Sequence, residues 1–352
     1  MKRKTIIAFC VSGILLAATI NAEEDEKLFS FKQPHMGTEF TILVWANQSQ
    51  SDDLTLVVEQ AFDRVNQLNQ ICSDYFPLSE INDLARAPAK VPFPVSPDLY
   101  HLLFLSKELT RESEGAFDVT AGPLVRLWRL SKKNSKLPTP EQLERAKART
   151  GADHLTLDTE NQTVTKHVEG MLFDLGGIAK GYAADAAFSI LRDAGYRRTL
   201  VAASGDIVAG DPPPGKAGWI VGIETLELEP DPNQLNTITL ANRAISTSGD
   251  ARQYIEVDGT RYSHIVSTKT GLGLTERIAA SVIAKCAADS DRYATVVTLL
   301  GEKDGLQFIE NKRGIECRIV ALHNGQESVI QSHGFSKSQE KEVIKESPVT
   351  SP

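Results

Sequence analysis

The sequence predicts an α+β fold with mixed or antiparallel sheets and packed helices. Three observations carry this. Strand-like and helix-like patterns are mixed along the chain without strict βα alternation, which argues against a doubly wound parallel sheet. Several strand-like runs are joined by short turn signals, the signature of hairpins. Composition is that of a globular chain, 41% apolar and 24% charged over 352 residues.

The elements follow in order. Phe40–Trp45 is a β-rich run, and Leu54–Leu68 carries apolar residues at helical spacing. Pro92–Leu109 holds an amphipathic helix opened by Ser96-Pro97-Asp98, and Thr139-Pro140-Glu141 opens a short charged one. Asp153–Val168 alternates around a turn and predicts a β-hairpin. Met171–Asp174 is read as a strand end, Gly176-Gly177 as a turn, and Tyr182–Ala194 as a helix closed by Gly195. Leu200–Ala203 and Trp219–Ile223 are strands flanking the loop Asp211–Gly215. Further strands are expected at Thr237–Leu240, Ala244–Ser246 and Arg252–Val257, the last followed by an Asp258-Gly259 turn. Ser281–Ala284 is a strand, Ala288–Leu300 a helix stopped by Gly301, and Ile315–Leu322 with Glu327–Gln331 a final hairpin.

Met1–Ala22 has the layout of a signal peptide: basic Lys2-Arg3-Lys4, an apolar run to Ile20, then a small residue before the acidic Glu23–Glu26. Cleavage after Ala22 and an extracytoplasmic, periplasmic location are expected, with an uncleaved inner-membrane anchor as the alternative. Phe9 before Cys10 argues against a lipoprotein site. Residues 23–335 then form the working domain. Ser336–Pro352, rich in Ser, Lys, Glu and Pro, reads as a disordered tail. Three cysteines remain after cleavage, enough for at most one internal disulfide.

Several function classes fall away. One long apolar run and a mean hydropathy of -0.20 exclude a multi-span membrane protein. A net charge of -8 excludes a basic nucleic-acid footprint. Without a CxxC pair or H-x₃-H spacing, neither a structural zinc site nor a zinc hydrolase is indicated. No G-x-S-x-G elbow accompanies Ser204-Gly205-Asp206 or Ser248-Gly249-Asp250.

Three segments suit phosphate chemistry. In Phe173–Gly181 a carboxylate, a glycine pair and a helix start come together, with Lys180 in the first turn. Glycines admit close backbone approach, and free helix N–H groups attract anions. An ordinary capped strand-turn-helix has the same pattern. Asp291 and Thr295 are i and i+4, so their oxygens share a helix face and suit a hard ion such as Mg²⁺. A solvent-facing pair in a first helical turn reads identically. His264, between apolar neighbours, is a candidate base or a structural histidine.

Together these segments resemble the ApbE-type FAD:protein FMN transferases, a flavin transferase family. The resemblance runs from about His35 to Gly301. It rests on Met36-Gly37-Thr38, Tyr75–Glu80, Gly115–Val125 with Leu127-Trp128, Asp174–Asp185, Ser246–Asp250 and Tyr262–Ile265, in the family's order. It implies a two-lobed, T-fold-like architecture. It also implies FAD contacts at Met36, Tyr75, Ala116, Phe117, Asp118, Asp174, Lys180 and Ile265. Mg²⁺ ligation is implied at Gly177 (through its carbonyl), Asp291 and Thr295, and a base at His264. The implied reaction moves FMN from FAD onto a Ser or Thr hydroxyl and releases AMP. The implied acceptors are extracytoplasmic proteins with an S-G-A-T-like target, such as subunits of membrane redox complexes. Such an acceptor would bring the protein to the inner membrane.

The sequence departs from the family at three places. Asp250-Ala251-Arg252 lacks an aromatic, Ser267-Thr268-Lys269 replaces an acid-proline-arginine run, and Ser204-Gly205 replaces a glycine pair. Two other readings of the same residues stand beside the transferase. One is a Mg²⁺-dependent FAD pyrophosphatase giving FMN and AMP; the other is a non-enzymatic periplasmic FAD-binding protein.

Overall fold

The computed structural model describes residues 26–335 apart from 224–225, 227–235 and 250–253. The expected signal segment Met1–Ala22, the tail Ser336–Pro352, and Asp250, Ala251 and Arg252 lie outside the described residues.

The chain opens with a hairpin, β1 (Glu26–His35) and β2 (Thr38–Asn47), joined by Met36 and Gly37, both at positive φ. β1 escapes the sequence reading because it is a sheet edge, mostly exposed, so charged residues mask its alternation. α1 (Ser51–Cys72) follows, burying a stripe from Leu54 to Leu68. α2 (Glu80–Arg86) starts at Ser79, whose hydroxyl accepts the Asn82 N–H. After β3 (Phe93–Pro94), α3 (Pro97–Glu112) is capped by the Ser96 hydroxyl, which accepts the Leu99 N–H.

α4 (Gly122–Asn134) begins on Gly122-Pro123 and is a helix the apolar pattern does not announce. α5 (Pro140–Lys147) carries a Thr139–Gln142 capping box. β4 (Leu155–Asp158) and β5 (Thr163–Lys166) form the expected hairpin. α6 (Ala179–Asp193) starts three residues before Tyr182.

Next come β6 (Thr199–Ala203), β7 (Asp206–Ala209), β8 (Trp219–Gly222), β9 (Thr237–Leu240), β10 (Arg243–Gly249), β11 (Tyr254–Val257) and β12 (Thr260–Ser263). Asp258 and Gly259, at positive φ, make the two-residue turn between the last pair. β13 (Arg277–Ala284) leads into α7 (Ala287–Glu310). Gly301 (φ 82°, ψ -177°) does interrupt α7, but the helix resumes and runs to Glu310. β14 (Glu316–His323) and β15 (Gln326–Gln331) close the chain as a hairpin.

One expected strand is absent. Met171–Asp174 has no regular secondary structure and pairs with no strand. The reason is its neighbour. The Asp174 N–H donates to the Val119 carbonyl at 2.8 Å, and Gly122 lies so close that a Cβ there would be 2.4 Å from the Leu172 carbonyl carbon. The segment is packed onto the start of α4 instead of a ladder.

The fold is α+β, and its main sheet is antiparallel throughout, ordered β1-β2-β6-β7-β10-β13-β14-β15. α1 and α6 pack on one face over Phe40, Ile42, Val44, Val201 and Val208. α7 covers Ile278, Ala280, Val282, Ile319 and Ala321 further along. The β8–β9 hairpin supplies Trp219, Val221, Ile238 and Leu240 to the core that takes in Ile245 and Ile283. A separate apolar cluster joins α2, α3 and the β4–β5 hairpin to Phe173, Leu175 and Ile178. Among the described residues no helix is long and apolar enough to cross a membrane.

Asp185 on α6 clasps the start of α7. Its two carboxylate oxygens accept the N–H groups of Ala287 and Ala288, each at 2.8 Å. The side chain at the cap position, Cys286, does not cap the helix, so Asp185 satisfies two N–H groups that a helix leaves unpaired. Burial nonetheless pushes the Asp185 carboxyl up to about 6. Asp185→Ala is expected to cost about 1–2 kcal/mol. The check is the thermal midpoint, which falls by about 2–4 °C per kcal/mol.

Cys72, Cys286 and Cys317 are all free thiols. Burial is the main cause that pushes each up to about 12, which leaves them poor nucleophiles.

Candidate active site

The N-terminal turns of α6 and α7 meet, and the meeting depends on glycine. A Cβ on Gly181 would lie 2.2 Å from the Ala287 carbonyl oxygen and 2.8 Å from the Asp291 Cβ. The Gly181 N–H donates to Asp291 Oδ2 at 3.0 Å. One turn away, a Cβ on Gly177 would sit 2.9 Å from both Thr295 Cγ2 and Oγ1, and 3.2 Å from Phe117 Cε2. The structure thus gathers Gly177, Asp291 and Thr295, with Phe117 beside them.

Charge is concentrated there. Asp291 is almost fully buried at 2% exposure, and Asp206, at the start of β7, at 3%. Lys180 donates to Asp206 and lies 3.8 Å from Asp291 Oδ2. Burial, then the Asp206 charge, push the Asp291 carboxyl up to about 7. For Lys180 burial works the other way, but Asp291 and Asp206 outweigh it and hold the ammonium charged. Two carboxylates share one ammonium, so the cluster is short of positive charge. Ser248 Oγ stands 3.3 Å from Thr295 Oγ1, and Ser246 Oγ 2.8 Å from Ser290 Oγ. Asp206 and Ser248, from the two Ser-Gly-Asp segments, are therefore occupied with Lys180 and the Thr295 hydroxyl.

A hard cation fits this donor set. A carbonyl, a carboxylate and a hydroxyl are all oxygen ligands, and a buried, under-compensated carboxylate is relieved by a positive ion. Among the described residues no cluster of three His, Cys, Asp or Glu side chains has metal-binding geometry, so a softer nitrogen or sulfur site is not built here. Gly177→Ala is expected to push Thr295 and Phe117 aside. Titration with a divalent ion should show weakened binding, with a stability loss of about 1–3 kcal/mol.

The remaining candidates surround this centre unevenly. Asp174 opens the Gly-rich turn. Its Oδ1 accepts the Gly176 N–H at 2.7 Å and its Oδ2 faces Arg129 at 3.2 Å. Tyr75 is 75% exposed, with the Arg129 guanidinium 4.2 Å over its ring. Ala116 and Phe117 are buried, and Ala116 lines a cavity of about 60 Å³ with Thr268 and Lys269. The altered loop is pinned there by Thr268 Oγ1, which donates to the Gly115 carbonyl at 2.7 Å.

His264 is exposed, in a bend after β12 that Trp128 anchors by donating to the Ser263 carbonyl at 3.0 Å. The neighbouring Ile265 N–H donates to Ser263 Oγ at 3.0 Å. Met36 forms the β1–β2 turn and packs on the apolar clusters of α1 and α3. The Asp118 carboxylate faces backbone and Thr120: it accepts Thr120 N–H and O–H at 2.8 and 2.7 Å and Ala152 N–H at 3.0 Å. It caps the turn Val119–Ala121, which follows Phe117.

Asp74 and Arg129 stand beside this centre without being singled out in the sequence, and Asp206 and Ser248 appear there only within Ser-Gly-Asp segments with no role assigned. Asp206 had a local sign, a carboxylate directly after the positive-φ turn residue Ser204 and Gly205. Arg129 had none.

The ApbE family model matches residues 36–319, most of the chain and all of this site. The chain belongs to the ApbE family. A Vibrio cholerae protein named FAD:protein FMN transferase is 31% identical over 319 residues, 90% of this chain and 93% of that one. A Haemophilus influenzae protein of the same name is 29% identical, covering 92% and 95%. Among solved structures, the flavin transferase ApbE from Vibrio cholerae superposes with a TM-score of 0.78 at 27% identity, over 89% of this chain and 99% of that one. The ApbE protein of Thermotoga maritima gives 0.79 at 26%, over 90% and 100%. ApbE membership makes this chain an enzyme, and the antiparallel sheet with its packed helices is the ApbE fold.

Proposed function

We propose that this enzyme transfers FMN from FAD to a Ser or Thr hydroxyl of an extracytoplasmic acceptor protein and releases AMP. The observation that carries the reading is the convergence of Gly177, Asp291 and Thr295 where two helix N-termini meet beside Lys180. In the reaction the acceptor oxygen forms a bond to the phosphorus that carries riboflavin. The pyrophosphate P–O bond to AMP breaks, and the hydroxyl proton goes to a base.

The residues divide this work. Gly177 (carbonyl), Asp291 and Thr295 would hold Mg²⁺, which supplies charge neutralisation on the pyrophosphate oxygens. Lys180, held beside Asp291 by Asp206, supplies the positive side-chain charge nearest to the same anion. Tyr75 and Phe117 offer aromatic walls to the flavin or adenine ring. His264, exposed on its bend, is the base reachable by an acceptor hydroxyl, a role worth about 10²–10⁴ in rate. The signal-like start of the chain supports a periplasmic site of action. Acceptors with an S-G-A-T-like motif, such as membrane redox subunits, are the expected partners.

The test uses the protein with FAD, Mg²⁺ and a short acceptor domain bearing S-G-A-T. An FMN-sized mass increase on the acceptor threonine, lost with EDTA, is the expected result. Free FMN and AMP without an adduct would replace the transferase reading with a pyrophosphatase. FAD recovered unchanged would leave only a binding protein.

A further inference from the structure

We propose that Arg129 is a positioning residue for FAD: it fixes the Tyr75 ring against the Asp174 turn so that the ring's free face can stack on a heteroaromatic ring of the dinucleotide. This rests on the flavin-transferase reading above. One guanidinium touches three segments of the chain. From α4, Arg129 Nη1 donates to Asp74 and Nη2 to Asp174 Oδ2 at 3.2 Å, while its Cζ lies 4.2 Å over the Tyr75 ring. Only a planar fork serves two carboxylates and an aromatic face at once; an ammonium reaches one of them.

The backbone of the Tyr75 loop is already stiff. The Asn82 side-chain amide donates to the carbonyls of Ser73, Asp74 and Phe76 at 3.3, 3.2 and 2.9 Å. What that clamp does not hold is the ring itself, which stays 75% exposed. With Arg129 on one face, the opposite face is presented in a set plane to solvent. A ring held in advance loses less entropy on stacking than a free one. Asp174 ties this wall to the Gly-rich turn, because its other oxygen accepts the Gly176 N–H. The wall and the Gly177–Asp291–Thr295 centre are thereby held in one register.

The experiment is a double-mutant cycle on FAD affinity, read by quenching of flavin fluorescence. Arg129→Ala and Tyr75→Leu should each weaken FAD about tenfold, and the double variant should be little worse than either, because one acts through the other. Arg129→Lys should not restore affinity. In turnover, KM for FAD should rise about tenfold while kcat falls less than threefold. Parallel titrations with FMN and AMP identify the stacked ring by which one loses affinity. Losses that multiply to about a hundredfold, wild-type affinity in Arg129→Lys, or no loss in either single variant would overturn the proposal. If Arg129→Ala does not fold, the Tyr75→Leu and Arg129→Lys pair carries the cycle. A wild-type protein that binds no FAD removes the flavin reading itself. One that binds FAD equally with and without Arg129 removes only this inference.

Discussion

Asp291→Asn is expected to abolish metal-dependent turnover, by on the order of a thousandfold or more, while leaving the protein folded. Metal neutralisation of a phosphoryl oxygen is worth several kcal/mol, and each ~1.4 kcal/mol is tenfold in rate. The substitution is nearly isosteric, and the amide oxygen can still accept the Gly181 N–H that Asp291 Oδ2 accepts at 3.0 Å. Lys180 keeps Asp206 as its partner, so no buried charge is stranded. The thermal midpoint of the metal-free protein should stay within a few degrees of wild type. Calorimetric titration with Mg²⁺ should lose its signal in the variant. Full Mg²⁺-dependent activity in Asp291→Asn would remove the metal assignment.

His264→Ala is expected to slow transfer by about 10²–10⁴, the usual worth of a general base. FAD affinity should fall far less, because a base at His264 would act on the acceptor hydroxyl. The fold should tolerate the change. His264 is exposed, and its bend is held by the Trp128 bond to Ser263 and the Ser263 bond to Ile265. The informative comparison is kcat for transfer against the FAD dissociation constant. Equal losses in both would make His264 a structural residue, and unchanged transfer would move the base elsewhere.

The pieces of the site are legible in the sequence, and their assembly is not. A glycine pair beside a carboxylate, or an Asp and a Thr four apart on a helix, are local patterns that survive without tertiary knowledge. That Gly177 touches Thr295, and Gly181 touches Asp291, depends on how α6 lies against α7. The motif order supplies that relation only through the family resemblance.

Misreadings have the same origin. Met171–Asp174 has the apolar run of a strand, but its partner is the start of α4 instead of a ladder. β1 is hidden because an edge strand exposes most of its length. The bonds that the Asp118 carboxylate accepts, two from Thr120 and one from the distant Ala152 N–H, are likewise beyond what spacing reveals. Arg129 gives no sign at all, since its partners lie 55 and 45 residues away.

The clasp between α6 and α7 also joins parts of the chain far apart in sequence. The bond from Gly181 to Asp291 spans 110 residues, and Lys180 meets Asp206 only once β7 has joined the sheet. Contacts of such long sequence separation carry a loop-closure entropy cost that only the packed fold offsets. An extended chain therefore carries the same side chains without the cluster they form. The buried Asp291–Lys180–Asp206 group is a property of the assembled sheet and helices and of no single segment.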